Sequence, residues 1–201
     1  MKNTQTIGNL CREVITGATN ILFDKEATEN ANHKLLMGAS LNPLGEVKSG
    51  ALVPIDVKEG RDPSKFLLQS GDVVLLAKGS TPRAAIISEE VSKQNVVASA
   101  NFLLLRPDTS QVRGEVLVAY LNSPLGQSQL AALSTGSIVT NISAASIKKF
   151  TVPVPTVTSQ DKVAELFWAR NHAYRDAIAV AEQQKIVANV CIENLMMGDA
   201  A

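Results

Sequence analysis

Apolar residues fall along the chain in two different rhythms. Up to residue 155 they come in short runs of Val, Ile, Leu and Ala, and Gly, Pro, Asn or Ser interrupts them every 8 to 15 residues or so. Residues 34–41, 51–57, 72–78, 83–88, 96–100 and 102–106 read as strands from their β-branched content and flanking turn residues. The strongest is Val73-Val74-Leu75-Leu76. Residues 114–121 place Val116, Leu117, Ala119, Tyr120 and Leu121 in a helix that ends before Pro124. A second short helix is expected over 126–133, a turn over 143–148 and a last strand over 150–154. Such a region is a mixed α+β domain.

After Val152-Pro153-Val154-Pro155 the rhythm changes, because residues 158–197 contain neither glycine nor proline. Thr158 or Ser159 is the expected N-cap, and Asp161 is expected in the first turn. A continuous helix of about 35 residues would extend roughly 50 Å. Ala164, Phe167, Asn171, Tyr174, Ile178, Ala181, Lys185, Ala188, Ile192 and Leu195 recur at alternating three- and four-residue steps. They make an a/d seam of about four heptads, with polar interruptions at Asn171 and Lys185. Leu166, Ala173, Val180 and Val187 form a second stripe beside it. A face of this kind calls for a partner helix; the alternative is a helix folded back across the sheet domain. The expected organisation is therefore an α+β domain over 1–157 and a long helix over 158–201.

Composition narrows the function. In the 201-residue chain, 19 lysines and arginines balance 19 aspartates and glutamates, so any basic patch is local. Cys11 and Cys191 lie at opposite ends, with only His33 and His172 as possible companions, which is neither a disulfide framework nor a metal-site spacing. The expectation is two inert thiols, no metal and no cofactor. No apolar run approaches the length of about 18 residues that spans a bilayer, and the opening residues lack a signal core, so a cytoplasmic protein is expected. Phosphate-loop, dinucleotide, zinc-protease and nucleophile-elbow motifs are absent. Ser146-Ile147-Lys148-Lys149 fits only a loose serine–lysine string, and the nuclease-like Pro107-Asp108 with Glu115-Val116-Leu117 has leucine where lysine is needed. No catalytic residue is assigned.

The order of segments carries more information. Gly8-Asn9-Leu10-Cys11-Arg12-Glu13-Val14-Ile15-Thr16-Gly17-Ala18-Thr19 is followed by Ser70-Gly71-Asp72-Val73-Val74-Leu75-Leu76-Ala77-Lys78-Gly79-Ser80, then Ala84-Ala85-Ile86-Ile87 and Leu103-Leu104-Leu105-Arg106-Pro107. Tyr120-Leu121-Asn122-Ser123, Thr135-Gly136-Ser137 and Ile142-Ser143-Ala144-Ala145-Ser146-Ile147-Lys148-Lys149-Phe150 come next, and the Pro-rich exit leads through Gln160 into the helix. Over nearly its whole length the chain resembles the DNA specificity subunit of type I restriction–modification systems. That resemblance implies a target recognition domain followed by one spacer helix, where a full subunit holds two such units with antiparallel helices. It also implies double-stranded DNA and an adenine methyltransferase subunit that binds S-adenosylmethionine as partners, with a restriction subunit as a further candidate. One unit alone implies a homodimer through the helix, with Phe167, Asn171, Tyr174, Ile178, Ala181, Lys185 and Ile192 in the seam. Natural half-subunit, fragment and regulator all fit this pattern.

For the DNA-binding role, Lys78, Gly79, Ser80, Thr81 and Arg83 combine cations, hydroxyls and a glycine that permits close backbone approach to phosphates. Arg83 also suits a guanine edge, and Lys93, Gln94 and Asn95 suit phosphate and adenine. Thr16, Thr19, Lys34, Lys148 and Lys149 are lesser candidates. The competing reading of both loops is a solvated turn. The competing function is a protein–protein adaptor that lacks DNA reading of its own.

Overall fold

The computed structural model describes residues 3–24, 27–79, 81–133 and 140–198. In chain order the elements are β1 (Thr4–Thr6), α1 (Ile7–Leu10), β2 (Cys11–Thr16), β3 (His33–Leu36), β4 (Val53–Ile55), β5 (Val73–Leu76), β6 (Lys78–Gly79), β7 (Arg83–Ile86) and α2 (Glu89–Ser92). There follow β8 (Val96–Ala98), β9 (Phe102–Pro107), α3 (Gly114–Leu121), α4 (Pro124–Ala132), β10 (Thr140–Asn141), α5 (Ala144–Lys148), β11 (Thr151–Pro153) and α6 (Val157–Met197). The class is α+β, with a long C-terminal helix.

The main sheet has the order β2-β9-β5-β7, antiparallel throughout, and a smaller sheet has the order β4-β3-β8. Both central strands are apolar on both faces, as a sheet covered on two sides requires. Val74, Leu76, Phe102 and Leu104 pack with Leu36, Val96 and Ala98 of the smaller sheet in one core. Their neighbours Val73, Leu75, Leu103 and Leu105 point the other way by the two-residue strand period and are equally buried. The Val73 side of this face meets α3 so closely that a Cβ at Gly114 would lie 3.3 Å from Val73 Cγ2.

Several elements depart from the expectations. The strand expected over 34–41 stops at Leu36 because Gly38–Ser40 turns into a 3-10 helix, and that over 51–57 keeps only Val53–Ile55. Helix α3 matches its expected bounds, but α4 starts at Pro124 rather than at 126, with the Ser123 hydroxyl capping the Gly126 amide. Strand β2 was not expected. Its charged Arg12 and Glu13 disguise the alternation, and a bulge between Cys11 and Glu13 shifts its register on β9. The cap of helix α6 lies two to three residues before the expected ones: Thr156 Oγ1 accepts the Ser159 amide, so Thr158 and Ser159 are already helical. Asp161 accordingly falls just beyond the first turn.

The chain divides into two compact units, Met1–Val163 and Ala164–Ala201. The division falls six residues into the expected helical region because the root of α6 is bonded into the first unit. Gln160 is buried, accepts the Arg113 amide at 2.9 Å and donates to the Gln111 and Pro155 carbonyls at 3.0 and 3.1 Å. Asp161 pairs with Arg113 at 2.6 Å.

One polar network lies inside the main sheet. Arg106 on β9 donates from Nε to Asp72 Oδ1 at 3.1 Å, from Nη1 to Glu13 Oε2 at 2.9 Å and from Nη2 to the Leu67 carbonyl at 3.1 Å. Burial pushes the neighbouring Cys11 thiol up from 9.0 to about 12, and the Asp72 charge adds to it. Cys191, by contrast, is exposed on α6, against the expectation of two inert thiols. Iodoacetamide should therefore modify Cys191 in the folded chain and Cys11 only after unfolding, as peptide mass mapping will show. Above pH 9 the unfolded state loses the Cys11 proton while the folded state keeps it, so stability should fall as pH rises from 9 towards 12.

Candidate nucleic-acid interface

Strand polarity sorts the loops of the first unit into two groups at opposite ends of the sheets. One end collects Thr16 at the end of β2, Leu76 at the end of β5, Arg83 at the start of β7 and Phe102 at the start of β9. The parallel pair β3 and β8 also finish there, at Leu36 and Ala98. Backbone hydrogen bonds knit this end together: Gly17 to the Phe102 carbonyl (2.9 Å), Ala18 to Ala98 (2.7 Å), Ala77 and Lys78 to Asn101 (2.9 and 3.1 Å) and Ile142 to Ala77 (3.0 Å). Gly17 has to be glycine here, because a Cβ would come within 2.3 Å of the Ser99 carbonyl. β10 then pairs with β6, setting Asn141 opposite Lys78 and Thr140 opposite Gly79.

At this end Thr16, Thr19, Lys78, Thr81, Asn101 and Asn141 are exposed. Arg83 is half-buried, and its Nη2 donates to the Gly38 carbonyl at 3.2 Å, so one face of the guanidinium braces the turn after β3. Gly79 has φ 153°, a backbone setting that favours glycine. Ser80 lies outside the described residues, as do Thr135, Gly136 and Ser137.

The other candidate loop lies at the opposite end, where β3 and β8 begin. Lys93 is paired with Glu89 at 2.6 Å. Gln94 accepts from Lys34 Nζ at 2.8 Å and donates to the Glu90 carbonyl at 3.3 Å. Asn95, at φ 50°, donates to the Asn32 carbonyl at 3.1 Å. From Lys34, which meets this loop, to Gly38, which meets Arg83, the chain runs four extended residues, or about 13 Å. Lys148 and Lys149 are exposed beside α1, also away from Arg83.

The charge distribution distinguishes the two ends. Residues 15–20, 36–41, 75–83 and 98–102, with Asn141 and Ile142, include no aspartate or glutamate. The opposite end carries Glu13, Asp72, Glu89, Glu90, Asp108 and Asp161. Among the described residues, these rim segments thus bear Lys78 and Arg83 and no carboxylate of their own. Phosphate oxygens approach such a rim without like-charge repulsion.

The weak catalytic strings are accounted for by local turns. Ser143 caps α5 and bonds Ser146 at 2.8 Å, and Asp108 accepts from the Ser110 amide and the Gln111 side chain. In the second unit Ala164, Phe167 and Asn171 are buried, whereas Tyr174, Ile178, Val180, Val187, Ile192 and Leu195 are exposed. The exposed part of the expected seam therefore begins at Tyr174. Among the described residues, no helix is long and apolar enough to cross a membrane.

These features define a class: an α+β domain with a carboxylate-free loop rim at one end and the root of a long helix at the other. The sequence matches no protein-family model and no curated protein. Solved structures do match, and they give the fold as that of type I restriction–modification specificity subunits. The S subunit from M. genitalium is 17% identical at a TM-score of 0.56, over 91% of this chain and 42% of that one. The HsdS subunit from Thermoanaerobacter tengcongensis is 18% identical at 0.57, over 91% and 45%. A chain from a structural study of complex assembly and conformational transition in the type I system is 16% identical at 0.56, over 98% and 48%. The chain spans less than half the length of each.

Proposed function

We propose that this chain is a non-catalytic, cytoplasmic DNA specificity subunit that directs an adenine methyltransferase, and with it a restriction subunit, to a split target. The observation that carries the reading is the carboxylate-free rim with Lys78 and Arg83 on a domain with the specificity-subunit fold. Lys78, Gly79, Thr81 and Arg83 meet the duplex at this rim. Lys93, Gln94 and Asn95 take a secondary part, since their side chains already bind Glu89, Lys34, Glu90 and Asn32.

Helix α6 would pair with the same helix of a second copy. The exposed seam of Tyr174, Ile178, Ala181, Lys185, Ala188 and Ile192 favours an antiparallel pair. A parallel pair in register would set Lys185 against Lys185 of the second copy. An antiparallel pair centred near residue 183 sets it against Ala181 and beside Glu182, and a dimer of this kind reads a symmetric, interrupted site.

The test combines solution mass with duplex binding. Light scattering should give a dimer of about 43 kDa, twice the 21.4 kDa chain, and Ile178→Asp with Ile192→Asp should return it to monomer. Binding to duplex DNA should weaken steeply with salt, and Lys78→Ala should reduce the slope of log K against log[salt] by about one. A monomeric parent chain would overturn the pairing, and salt-independent or absent duplex binding would overturn the DNA reading.

A further inference from the structure

Three side-chain amides of the rim segments, those of Asn20, Asn101 and Asn141, are exposed and have no hydrogen-bond partner among the described residues. Several other amides of the domain are engaged. Asn122 holds the Ala84 backbone from both sides, Gln160 holds the root of α6, and Gln94 and Asn95 are bonded as described above.

Asn101 and Asn141 also share a neighbour. The Lys78 amide donates to the Asn101 carbonyl at 3.1 Å on one side, and Asn141 is the cross-strand partner of Lys78 on the other. The backbones of the two asparagines are thereby held about two strand spacings apart, or about 10 Å, with the lysine between them. The Ala77 amide and carbonyl lock the same frame, through Asn101 and Ile142 at 2.9 and 3.0 Å. A free asparagine amide makes a bidentate pair with adenine N6 and N7 in the major groove, whereas lysine between two such groups is placed for a phosphate.

We infer that Asn101 and Asn141 are base-reading residues of this rim, each directed at an adenine, with Lys78 as the phosphate contact between them. The inference rests on the DNA-binding reading proposed above. Two supports about 10 Å apart correspond to roughly three base-pair steps of about 3.4 Å each. The recognised half-site should therefore contain two A·T requirements within about three base pairs of each other.

The experiment uses the full chain and a pool of randomised duplexes, selected by binding and sequenced. Affinities and salt slopes are then measured on the enriched duplex and on single-position variants of it. Asn101→Ala and Asn141→Ala should each abolish the preference at one A·T position, lowering discrimination there about 10-fold, and leave the salt slope unchanged. Asn141→Asp, nearly isosteric, should move the preference at its position from adenine towards cytosine, whose N4 amino group a carboxylate accepts. Lys78→Ala should weaken all duplexes alike. Both asparagine side chains are exposed and make no hydrogen bond among the described residues, so thermal melts of the variants should coincide with that of the parent. If all three asparagine variants enrich the parent sequence with parental affinity, the inference is overturned while the DNA reading stands. If the parent chain enriches no sequence and binds no duplex, the DNA reading falls and takes this inference with it.

Discussion

Replacing Arg106 with alanine is expected to lower the unfolding free energy by about 3–5 kcal/mol, a large part of the 5–15 kcal/mol typical of a domain. Asp72 is only 2% exposed, and the Arg106 guanidinium contacts both its oxygens, at 3.1 and 3.3 Å. Without that fork the carboxylate keeps one partner, the Gln69 amide at 2.8 Å, while Glu13 and the Leu67 carbonyl each lose a donor. Burial already holds the Asp72 carboxyl above its ordinary 3.8, with the Arg106 and Gln69 bonds opposing and the Glu13 charge adding. A raised value means that protonation favours the folded state. That contribution is fully present below 3.8 and is lost as pH rises through the raised value. Loss of Arg106 raises it further, so the deficit of the variant should shrink on acidification. Urea titrations at neutral and mildly acidic pH will check both statements. A loss under about 1 kcal/mol would show that the guanidinium is not what makes the buried charge tolerable.

Gln160→Ala is expected to cost about 1–3 kcal/mol, because truncating this buried side chain leaves the Arg113 amide and the Gln111 and Pro155 carbonyls short of a partner. Amide hydrogen exchange at Arg113 should accelerate in the variant before that of the β5 and β9 core. Gln160→Glu should recover only part of the loss, since a carboxylate still accepts from Arg113 but cannot donate to two carbonyls. Asp161→Ala, which removes a half-exposed pair with Arg113, should stay within about 1 kcal/mol of the parent. If Gln160→Ala and Asp161→Ala prove equal, the amide is not the anchor of the helix root.

Local pattern revealed those elements whose residues carry their own signal. Val73-Val74-Leu75-Leu76 is a strand because four buried aliphatics between Asp72 and Gly79 have no better arrangement, and α3 has its expected bounds. The long α6 follows from forty residues without glycine or proline. Its cap was misplaced because Thr156, Thr158 and Ser159 are all good capping residues, and only the observed bond to Thr156 distinguishes them. Strand β2 escaped because its half-buried Glu13 is satisfied by Arg106, 93 residues away.

The candidate site was legible in half. The Lys78–Arg83 loop announces itself by composition, and so does the Lys93–Asn95 loop, but composition cannot show that strand direction sends the two to opposite ends. Nor can it show that the amides of Gln94 and Asn95 are engaged within the fold while those of Asn101 and Asn141 have no partner among the described residues. Asn101 and Asn141 have no local motif, and they flank Lys78 only because β6 pairs across 62 residues with β10. What the sequence by itself determined is the class of fold, the long helix with its heptad face and the overall neutrality of charge, since each depends on residue type and short-range period. Tertiary structure alone decided where the carboxylates are missing, which polar groups are already bonded and where the helix is anchored. Those properties belong to neighbours in space, and strand pairing brings such neighbours together from distant parts of the chain.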